Sequence, residues 1–311
     1  MLKNQILTEL LQNRSQPLSG QMLANRYQVS RNAIWKTINA LKAEGYPIDA
    51  IPKEGYLLSP DCDLLSTQVL QKSLQNFPDL QIAVFSTIDS TNSEARRMLA
   101  SGFDGYALIV SDTQTNGRGR KGKSFYSPQK TGIYMSLILP IPYPCQNPTL
   151  LTIAAAVAVL RSVSTLTGIQ LQIKWVNDIF FHGKKAGGIL TEAISDLESG
   201  QISHAVVGIG LNLHSCSFPA SLSSIATSLS FTEVHRCDLI AEICTQLLTI
   251  DWQNSSTYIN EYTEHSLVLH QTICYQGKLV QALSIESDGG LTILHADGHT
   301  ETFHGGTIEL T

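Results

Sequence analysis

Gly117-Arg118-Gly119-Arg120-Lys121-Gly122-Lys123-Ser124 fits two nucleotide-binding patterns at once. It satisfies GxxxxGK[ST], the phosphate-cradling loop, and GxGxxG, the dinucleotide loop. Both need a strand before and a helix after, so that phosphate meets helix N-terminal amides. The strand is present at Tyr106–Ser111. The next residues, Phe125-Tyr126-Ser127-Pro128-Gln129-Lys130-Thr131-Gly132, lead into another strand and start no helix. Both standard readings are set aside. The physical content stays. Three glycines allow close backbone approach, and the cations Arg118, Arg120, Lys121 and Lys123 repel one another unless an anion joins them.

Outward from the loop, Gln81–Ser86 and Gly132–Leu139 read as strands and Pro148–Leu166 as a buried helix rich in Ala and Val. Gln170–Trp175, Ile179–His182, Gly188–Ile194 and His204–Asn212 are closely spaced strands, which favours antiparallel hairpins over parallel units. Asp238–Leu248 is a helix. The class is α+β. Leu267–Thr311 is all strand and turn, with four or five short strands that suggest a small barrel. Such a piece is too small to be very stable alone.

Toward the N-terminus the periodicity changes. Ile6, Leu7, Leu10 and Leu11 lie at helical spacing. A second helix fits Ser19–Tyr27, with Met22 and Leu23 inward. Ser30 caps a third through about Glu44, and Gly45 stops it. There Ile34, Ile38 and Leu41 form one apolar stripe. Arg31, Asn32, Lys36, Asn39 and Lys42 lie largely off it, free to meet base edges and phosphates. Ile48–Ile51 and Gly55–Leu58 add two strands, a wing. Asp61–Phe77 reads as a connecting helix.

The chain has 311 residues, 43% hydrophobic and 15% charged, an ordinary balance for a protein with real cores. The net charge of −5 does not advertise nucleic acid, but residues 1–60 carry seven Lys/Arg against four Asp/Glu. A slightly basic head on an acidic body suggests two jobs. The apolar stretch around Leu150–Leu160, broken by Thr152 and bounded by Arg161, is shorter than the roughly 20 residues a bilayer requires. The N-terminus has no secretory pattern, so cytoplasm is expected and no membrane. Cys62, Cys145, Cys216, Cys237, Cys244 and Cys274 are scattered without a CxxC pair, as free thiols in a reducing compartment would be. His295, His299 and His304 fall in a strand pattern, so packed or solvated histidines are expected and no metal site.

A second constellation sits beside the loop. Lys174-Trp175-Val176-Asn177-Asp178 ends a strand, and Lys184-Lys185-Ala186-Gly187-Gly188-Ile189-Leu190 comes after a turn at His182-Gly183. The hairpin places Lys174 and Lys185 in one neighbourhood, with room for a ligand at Gly187-Gly188. A third piece, Ser90-Thr91-Asn92, opens a helix in which Thr91 and Glu94 resemble a capping box. Three adjacent small hydrogen-bonding side chains suit a urea-like head group.

Together these pieces resemble the bifunctional biotin–protein ligase/biotin operon repressor family. The matching runs, in the family's order over about residues 85–215, are Ser90-Thr91-Asn92, Gln114 ahead of Gly117–Gly122, Lys174–Asp178, Lys185–Leu190 and Gly208-Ile209-Gly210-Leu211-Asn212. The resemblance implies a winged helix-turn-helix DNA-binding domain (1–60), a linker helix (61–79), a mixed α/β catalytic domain of the biotin/lipoate ligase type (80–266) and a small SH3-like β-barrel (267–311). It implies that biotin and ATP form biotinoyl-5′-AMP with magnesium, and that a lysine of a biotin carboxyl carrier domain of a biotin-dependent carboxylase then takes the biotin. It also implies that the adenylate favours a homodimer on operator DNA. By resemblance Ser90, Thr91, Asn92, Gln114, Arg118, Gly119, Arg120, Lys185 and Gly188 hold biotin. Arg118, Arg120, Lys121, Trp175, Asn177 and Asn212 hold ATP or the adenylate. Arg120, Lys185 and Asp178 serve catalysis, and Ser30, Arg31, Asn32, Lys36 and Asn39 meet DNA. Val176 stands where the family commonly has proline, and Phe125 where tryptophan is usual. The alternatives are a biotin-sensing regulator with little ligase activity, a lipoate or other acyl ligase, and a ligase whose N-terminal domain serves only catalysis or packing. The intact set Arg118, Arg120, Lys185 and Asp178 speaks against the first, and the loop and KWVND runs speak against the second.

Overall fold

A computed structural model describes residues 2–14, 16–141, 147–195, 200–231 and 234–311. Cys145 lies outside them. The chain divides into two compact units, Met1–Ser73 and Leu74–Thr311.

In the first unit α1 (Leu2–Gln12), α2 (Gly20–Arg26) and α3 (Arg31–Ala43) bury Ile6, Leu7, Leu10, Leu23, Ile34, Ile38 and Leu41 in one core. Ser19 and Ser30 cap α2 and α3 by accepting from backbone amides of the first turn. Met22 is 42% exposed rather than inward, because only Leu23 and Ala24 of the short α2 reach the core. The antiparallel hairpin of β1 (Ile48–Ile51) and β2 (Gly55–Leu58) is the expected wing. Gly55 has φ +133, and a Cβ there would lie 2.1 Å from the Leu18 carbonyl oxygen, so only glycine fits where Leu18 pairs with Tyr56. The connecting helix is shorter than expected. It is α4 (Thr67–Ser73), which starts after the buried Ser66 and ends before Phe77-Pro78, where proline disfavours helix.

The second unit is built on a seven-stranded sheet of β3 (Gln81–Phe85), β4 (Ala107–Ser111), β5 (Gly132–Pro140), β6 (Gln172–Lys174), β7 (Asp178–Phe181), β8 (Lys184–Ser195) and β9 (Ile202–Asn212), ordered β3-β4-β5-β9-β8-β7-β6. Every pairing is antiparallel except β3–β4, which α5 (Thr91–Ala100) crosses over. On one face Ile133, Met135, Leu137, Val207 and Ile209 are buried. The alternate positions Ser136, Gly188, Gly208, Gly210 and Glu192 share the other face by register.

Helix α6 (Pro148–Thr167) packs against α7 (Arg236–Thr249), α8 (Ile259–Glu264) and β8. It is longer than the apolar run suggested. Asn147 caps its start and Gly168, at φ 72, closes its end. Its length and apolarity would suit a bilayer, but two thirds of that stretch, 67%, is buried within the protein, which makes it a core helix. Burial pushes the Cys244 thiol on α7 up to about 12, far from a nucleophile's range.

The C-terminal strands β10 (Thr272–Tyr275), β11 (Lys278–Ile285), β12 (Leu291–Leu294), β13 (Thr300–Phe303) and β14 (Ile308–Leu310) form an antiparallel sheet ordered β13-β12-β11-β10-β14. The expected closed barrel is not seen: the pairing leaves β13 and β14 as edges. The sheet is nevertheless curled. Flat, its edges would stand about 19 Å apart, more than the link from Phe303 to Ile308 covers at about 3.5 Å per residue. Consistent with curling, Tyr275 on β10 stacks on Phe303 on β13, with ring centroids 4.0 Å apart. His295 and His299 flank a tight turn and stack at 4.0 Å, with His295 on Glu301. Strand pairing across a hairpin therefore joins residues that sequence spacing alone kept apart.

Trp175 ties this sheet to the larger one. Its indole Nε1 donates to the Gly289 carbonyl at 3.1 Å, and its ring meets Phe303 edge-on at 5.2 Å. Trp175→Phe removes the donor from a buried carbonyl, at a cost of about 1–3 kcal/mol. A fall of several degrees in the thermal midpoint, followed by circular dichroism, is the expected result; a shift within 1 °C (on the order of 0.3 kcal/mol) would show the bond contributes nothing.

Candidate functional site

Strand alternation sets the floor. Gly208 and Gly210 on β9, with Gly188 on β8, leave a strip of sheet without side chains. Neighbours from above use that space. A Cβ on Gly208 would lie 1.9 Å from Asn92 Oδ1, and one on Gly210 would lie 2.7 Å from the Phe125 ring. Gly187 is glycine for another reason: its Cβ would strike the Gly210 carbonyl oxygen at 2.5 Å, so it serves strand packing and not the ligand.

At one end of the floor a directed hydrogen-bond chain runs through the expected head-group residues. Ser90 is the N-cap of α5, while Glu94 binds Arg97. The capping box between Thr91 and Glu94 therefore does not form; the cap sits one residue earlier and leaves Thr91 and Asn92 buried in the first turn. The Thr91 amide and hydroxyl both donate to Gln114 Oε1, at 2.8 and 3.2 Å. Gln114 Nε2 then donates to Ser127 Oγ at 2.9 Å, and Ser127 donates to the Phe125 carbonyl at 3.0 Å. Ser136 Oγ lies 2.8 Å from Thr91 Oγ1 and 2.7 Å from Asn92 Oδ1. Asn92 Nδ2 donates to Glu192 Oε2 at 2.8 Å and to the Leu190 carbonyl at 3.3 Å. Both amide orientations are forced: a carboxylate only accepts, and a backbone N–H only donates. Among the described residues no buried side-chain polar atom lacks a partner.

The glycine-rich loop closes on itself through Gly119 N–H to the Lys123 carbonyl at 2.7 Å and Phe125 N–H to the Gly117 carbonyl at 2.8 Å. Arg120–Gly122 makes one tight turn and no helix comes after it, as the sequence requires. The crowded cations diverge to separate partners. Arg118 meets Glu192 at 3.2 Å, Arg120 donates to Asn177 Oδ1 at 2.9 Å, and Lys121 donates to Thr307 Oγ1 at 2.8 Å. Lys121 thereby lines a cleft of about 340 Å³ with Tyr275, Gly306 and Thr307.

At the other end of the floor, Lys185 Nζ lies 2.6 Å from Asp178 Oδ1. The β7–β8 pairing slips by one residue between Ile179 and Phe180. Such a bulge re-aims a side chain, and here Lys185 comes within 3.4 Å of where a Gly188 Cβ would stand. Asn177 donates to the Ile189 carbonyl at 2.9 Å, which holds its oxygen toward Arg120. Burial holds the Lys174 ammonium below its usual range despite Asp178, with Lys185 and Lys123 adding repulsion. The Trp175–Val176 peptide is cis. Trp175 is not brought to this group; its ring is buried against Phe303.

Asn212 is tied to the loop at residues 225–229. Its Nδ2 donates to the Thr227 carbonyl at 3.0 Å, and Leu229 N–H returns to the Asn212 carbonyl. The same loop brackets Lys185, whose N–H donates to the Ile225 carbonyl and whose carbonyl accepts from Thr227. Ile225, 59% exposed, is presented beside it. Glu192, Ser136, Ser127 and residues 225–229 were missed, since each is an ordinary strand or loop residue until pairing brings it to the site. The alternation of Gly188, Leu190 and Glu192 along one strand was the signal that could have found Glu192.

In the first unit the expected DNA-facing residues fall on one side of α3. Ser30, Arg31, Asn32 and Lys36 are exposed and Asn39 is half-buried. Trp35 stands among them, 54% exposed, and was not anticipated.

Comparison with known proteins agrees with this division. Residues 3–57 match the HTH domain model, and residues 84–212 match the biotin/lipoate A/B protein ligase family. The chain is 36% identical over 240 residues to the bifunctional ligase/repressor BirA of Bacillus spizizenii, covering 76% of this chain and 73% of that protein. It is 28% identical over 195 residues to the BirA of Escherichia coli, covering 63% of this chain and 59% of that one. Among solved structures, the biotin protein ligase from Aquifex aeolicus in complex with biotin and ATP has the same fold, with a TM-score of 0.62 at 23% identity over 74% of this chain and 99% of that one. With its helix-turn-helix unit and its ligase sheet both matched, the chain belongs to the family of bifunctional ligase/repressor proteins.

Proposed function

We propose that this biotin–protein ligase and repressor makes biotinoyl-5′-AMP and uses it twice. The observation that carries the ligase reading is the glycine floor between two unlike ends. The Ser90–Gln114 hydrogen-bond chain offers fixed donors and acceptors to a ureido head group. Lys185 and Arg120 offer positive charge at the far end. Biotin's carboxylate oxygen attacks the α-phosphorus of ATP and pyrophosphate leaves. The cations offset the repulsion between two anions and the charge that develops on phosphorus. A carrier lysine then attacks the acyl carbon, AMP leaves with the bonding pair, and Asp178 orients the amine. Gly119 gives the loop its close approach, and Lys121, Asn177 and Asn212 support the adenylate directly or through the 225–229 loop. The donor set fits a magnesium ion that enters with ATP: Asp178 is the carboxylate within the group and phosphates supply the other oxygens, as hard cations prefer. When bound, the ion neutralises phosphate charge.

We read the curled C-terminal sheet as an SH3-like barrel in outline, residues 267–311, beside a catalytic domain at 80–266. Residues 1–60 serve operator DNA, with 61–79 as the linker. The polar face of α3 suits a major groove, with Ser30, Arg31 and Asn32 at the helix end that enters first. The adenylate favours a homodimer that sets two such helices on half-sites, and the cytoplasm supplies ATP and carrier domains.

The test is transfer. Incubated with ATP, magnesium and an apo carrier domain of a biotin-dependent carboxylase, the full chain should attach biotin, and lipoate should be a poor substitute. Addition of biotin and ATP should also shift sedimentation toward dimer and tighten operator binding. Absence of transfer rejects the ligase reading; unchanged sedimentation and DNA affinity reject the adenylate's second use.

A further inference from the structure

The β12–β13 hairpin turns through Ala296-Asp297-Gly298. Its last rung is the pair His295 and His299, where His295 N–H donates to the His299 carbonyl at 2.9 Å. Gly298, at φ +90, supplies the left-handed residue that a three-residue hairpin loop needs. Residues paired across a hairpin put their side chains on one face, and so does the residue two further along the strand. His295, His299 and Glu301, which pairs with Ile293, therefore share a face. The two imidazoles stack with centroids 4.0 Å apart, 10° from parallel, and His295 Nε2 lies 3.0 Å from Glu301 Oε2. One nitrogen of each ring and one Glu301 oxygen all lie within 4.8 Å of one another. Asp297 engages His299 Nδ1. In a strand pattern the spacing of the histidines argued against a metal; hairpin pairing brings two of them together, while His304 is held on Asp288.

We propose that this hairpin tip binds a divalent transition-metal ion of the zinc class through His295, His299 and Glu301. The donor set carries the choice of ion. Two imidazoles and one carboxylate suit zinc and its neighbours, whereas magnesium takes oxygen ligands. The spacing agrees. Bonds of about 2.1 Å set neighbouring ligand atoms about 3.0–3.4 Å apart. His295 and Glu301 already stand at that distance, and the ion takes the place of the proton between them. His299 must close by at most about 1.5 Å to reach the same spacing. Its side chain is 56% exposed and free to turn, while His295 is only 14% exposed and stays as the fixed ligand. A carboxylate on Nδ1 keeps the lone pair of that ring on Nε2 and raises its basicity, so Asp297 acts as the orienting partner of His299. A bound ion clips the edge strand β13 to β12.

The experiment is calorimetric titration of the untagged full chain with zinc, alone and against a hundredfold excess of magnesium. His299→Ala and Glu301→Gln each remove one ligand from the surface and should weaken one equivalent of zinc by more than about tenfold. Asp297→Asn keeps all three ligands and should weaken it by about tenfold, the effect of losing an orienting partner. Magnesium should leave the zinc in place. Zinc should also raise the thermal midpoint of the wild-type chain and not that of His299→Ala. Equal zinc affinity in wild type and His299→Ala would overturn the proposal, because the ion would then sit on the cysteines or on other histidines. Displacement by magnesium would overturn it too, since the site would be one of oxygens. Neither readout uses biotin or ATP, so the inference stands or falls apart from the ligase reading.

Discussion

Lys185→Ala is expected to lower biotin-dependent exchange of pyrophosphate into ATP by more than a hundredfold while leaving the fold intact. The lysine sits on the β7–β8 bulge with its ammonium 2.6 Å from Asp178, over the bare strand at Gly188. A methyl at 188 would touch the end of the Lys185 side chain at 3.4 Å, an ordinary contact. Removal of one preorganised donor from a site of developing oxyanion charge costs about 3–4 kcal/mol, a factor of a hundred or more. The stability cost is much smaller. The pair is partly exposed, at 39% and 22%, and such ion pairs contribute about 1 kcal/mol or less. Exchange assays and thermal unfolding on the same preparation separate the two effects. A loss of less than about tenfold would place the activating charge elsewhere, on Arg118 or Arg120. Lys185→Arg should recover only part of the activity, because a planar fork does not replace a point charge in a narrow gap.

Gly208→Ala is the second large effect, and it comes from shape alone. The added methyl would stand 1.9 Å from Asn92 Oδ1, a separation no pair of atoms accepts. Asn92 is 4% exposed and is held by Ser136, Glu192 and the Leu190 carbonyl. To make room it must leave all three, and the hydrogen-bond chain loses its middle. A tenfold or greater rise in KM for biotin is expected, with a stability loss of about 2–3 kcal/mol from overpacking. The double variant tests the cause. With Asn92→Ala the obstructing side chain is gone, so adding Gly208→Ala should cost almost nothing further. If the two losses add in full, the methyl acts on something other than Asn92.

Much of this site was readable in the chain because its glycines and cations are adjacent in sequence. Gly117–Gly122, Lys174–Asp178 and Lys185–Leu190 announced a close-approach surface with fixed charge, and the missing helix after Ser124 excluded two familiar loop motifs. Harder to read were properties created by pairing. Glu192 is one polar residue in an alternating strand, and only the register opposite Val206, with α5 crossing above, turns it toward Asn92 and Arg118. Ser136 lies in the apolar run Gly132–Leu139 and gave no sign of its role. Trp175 looked like a ligand platform because it sits between Lys174 and Asn177. Its neighbours in space, Gly289 and Phe303, come from more than a hundred residues away. The barrel was inferred from strand count. Count does not decide closure, which depends on whether the edge strands pair.

Strand β8 carries both ends of the site: Gly188 beside Lys185 and Asp178, and Glu192 beside Asn92 and Arg118. Four residues of strand span about 13 Å, and the flanking β7 and β9 prevent that span from stretching. On the proposed reading, the site then acts as a ruler. An acid whose arm is one methylene too long must buckle, and one too short must leave either its head or its carboxylate unmet. Discrimination by length would then reside in the pleat of one strand rather than in any side chain that a point substitution could exchange.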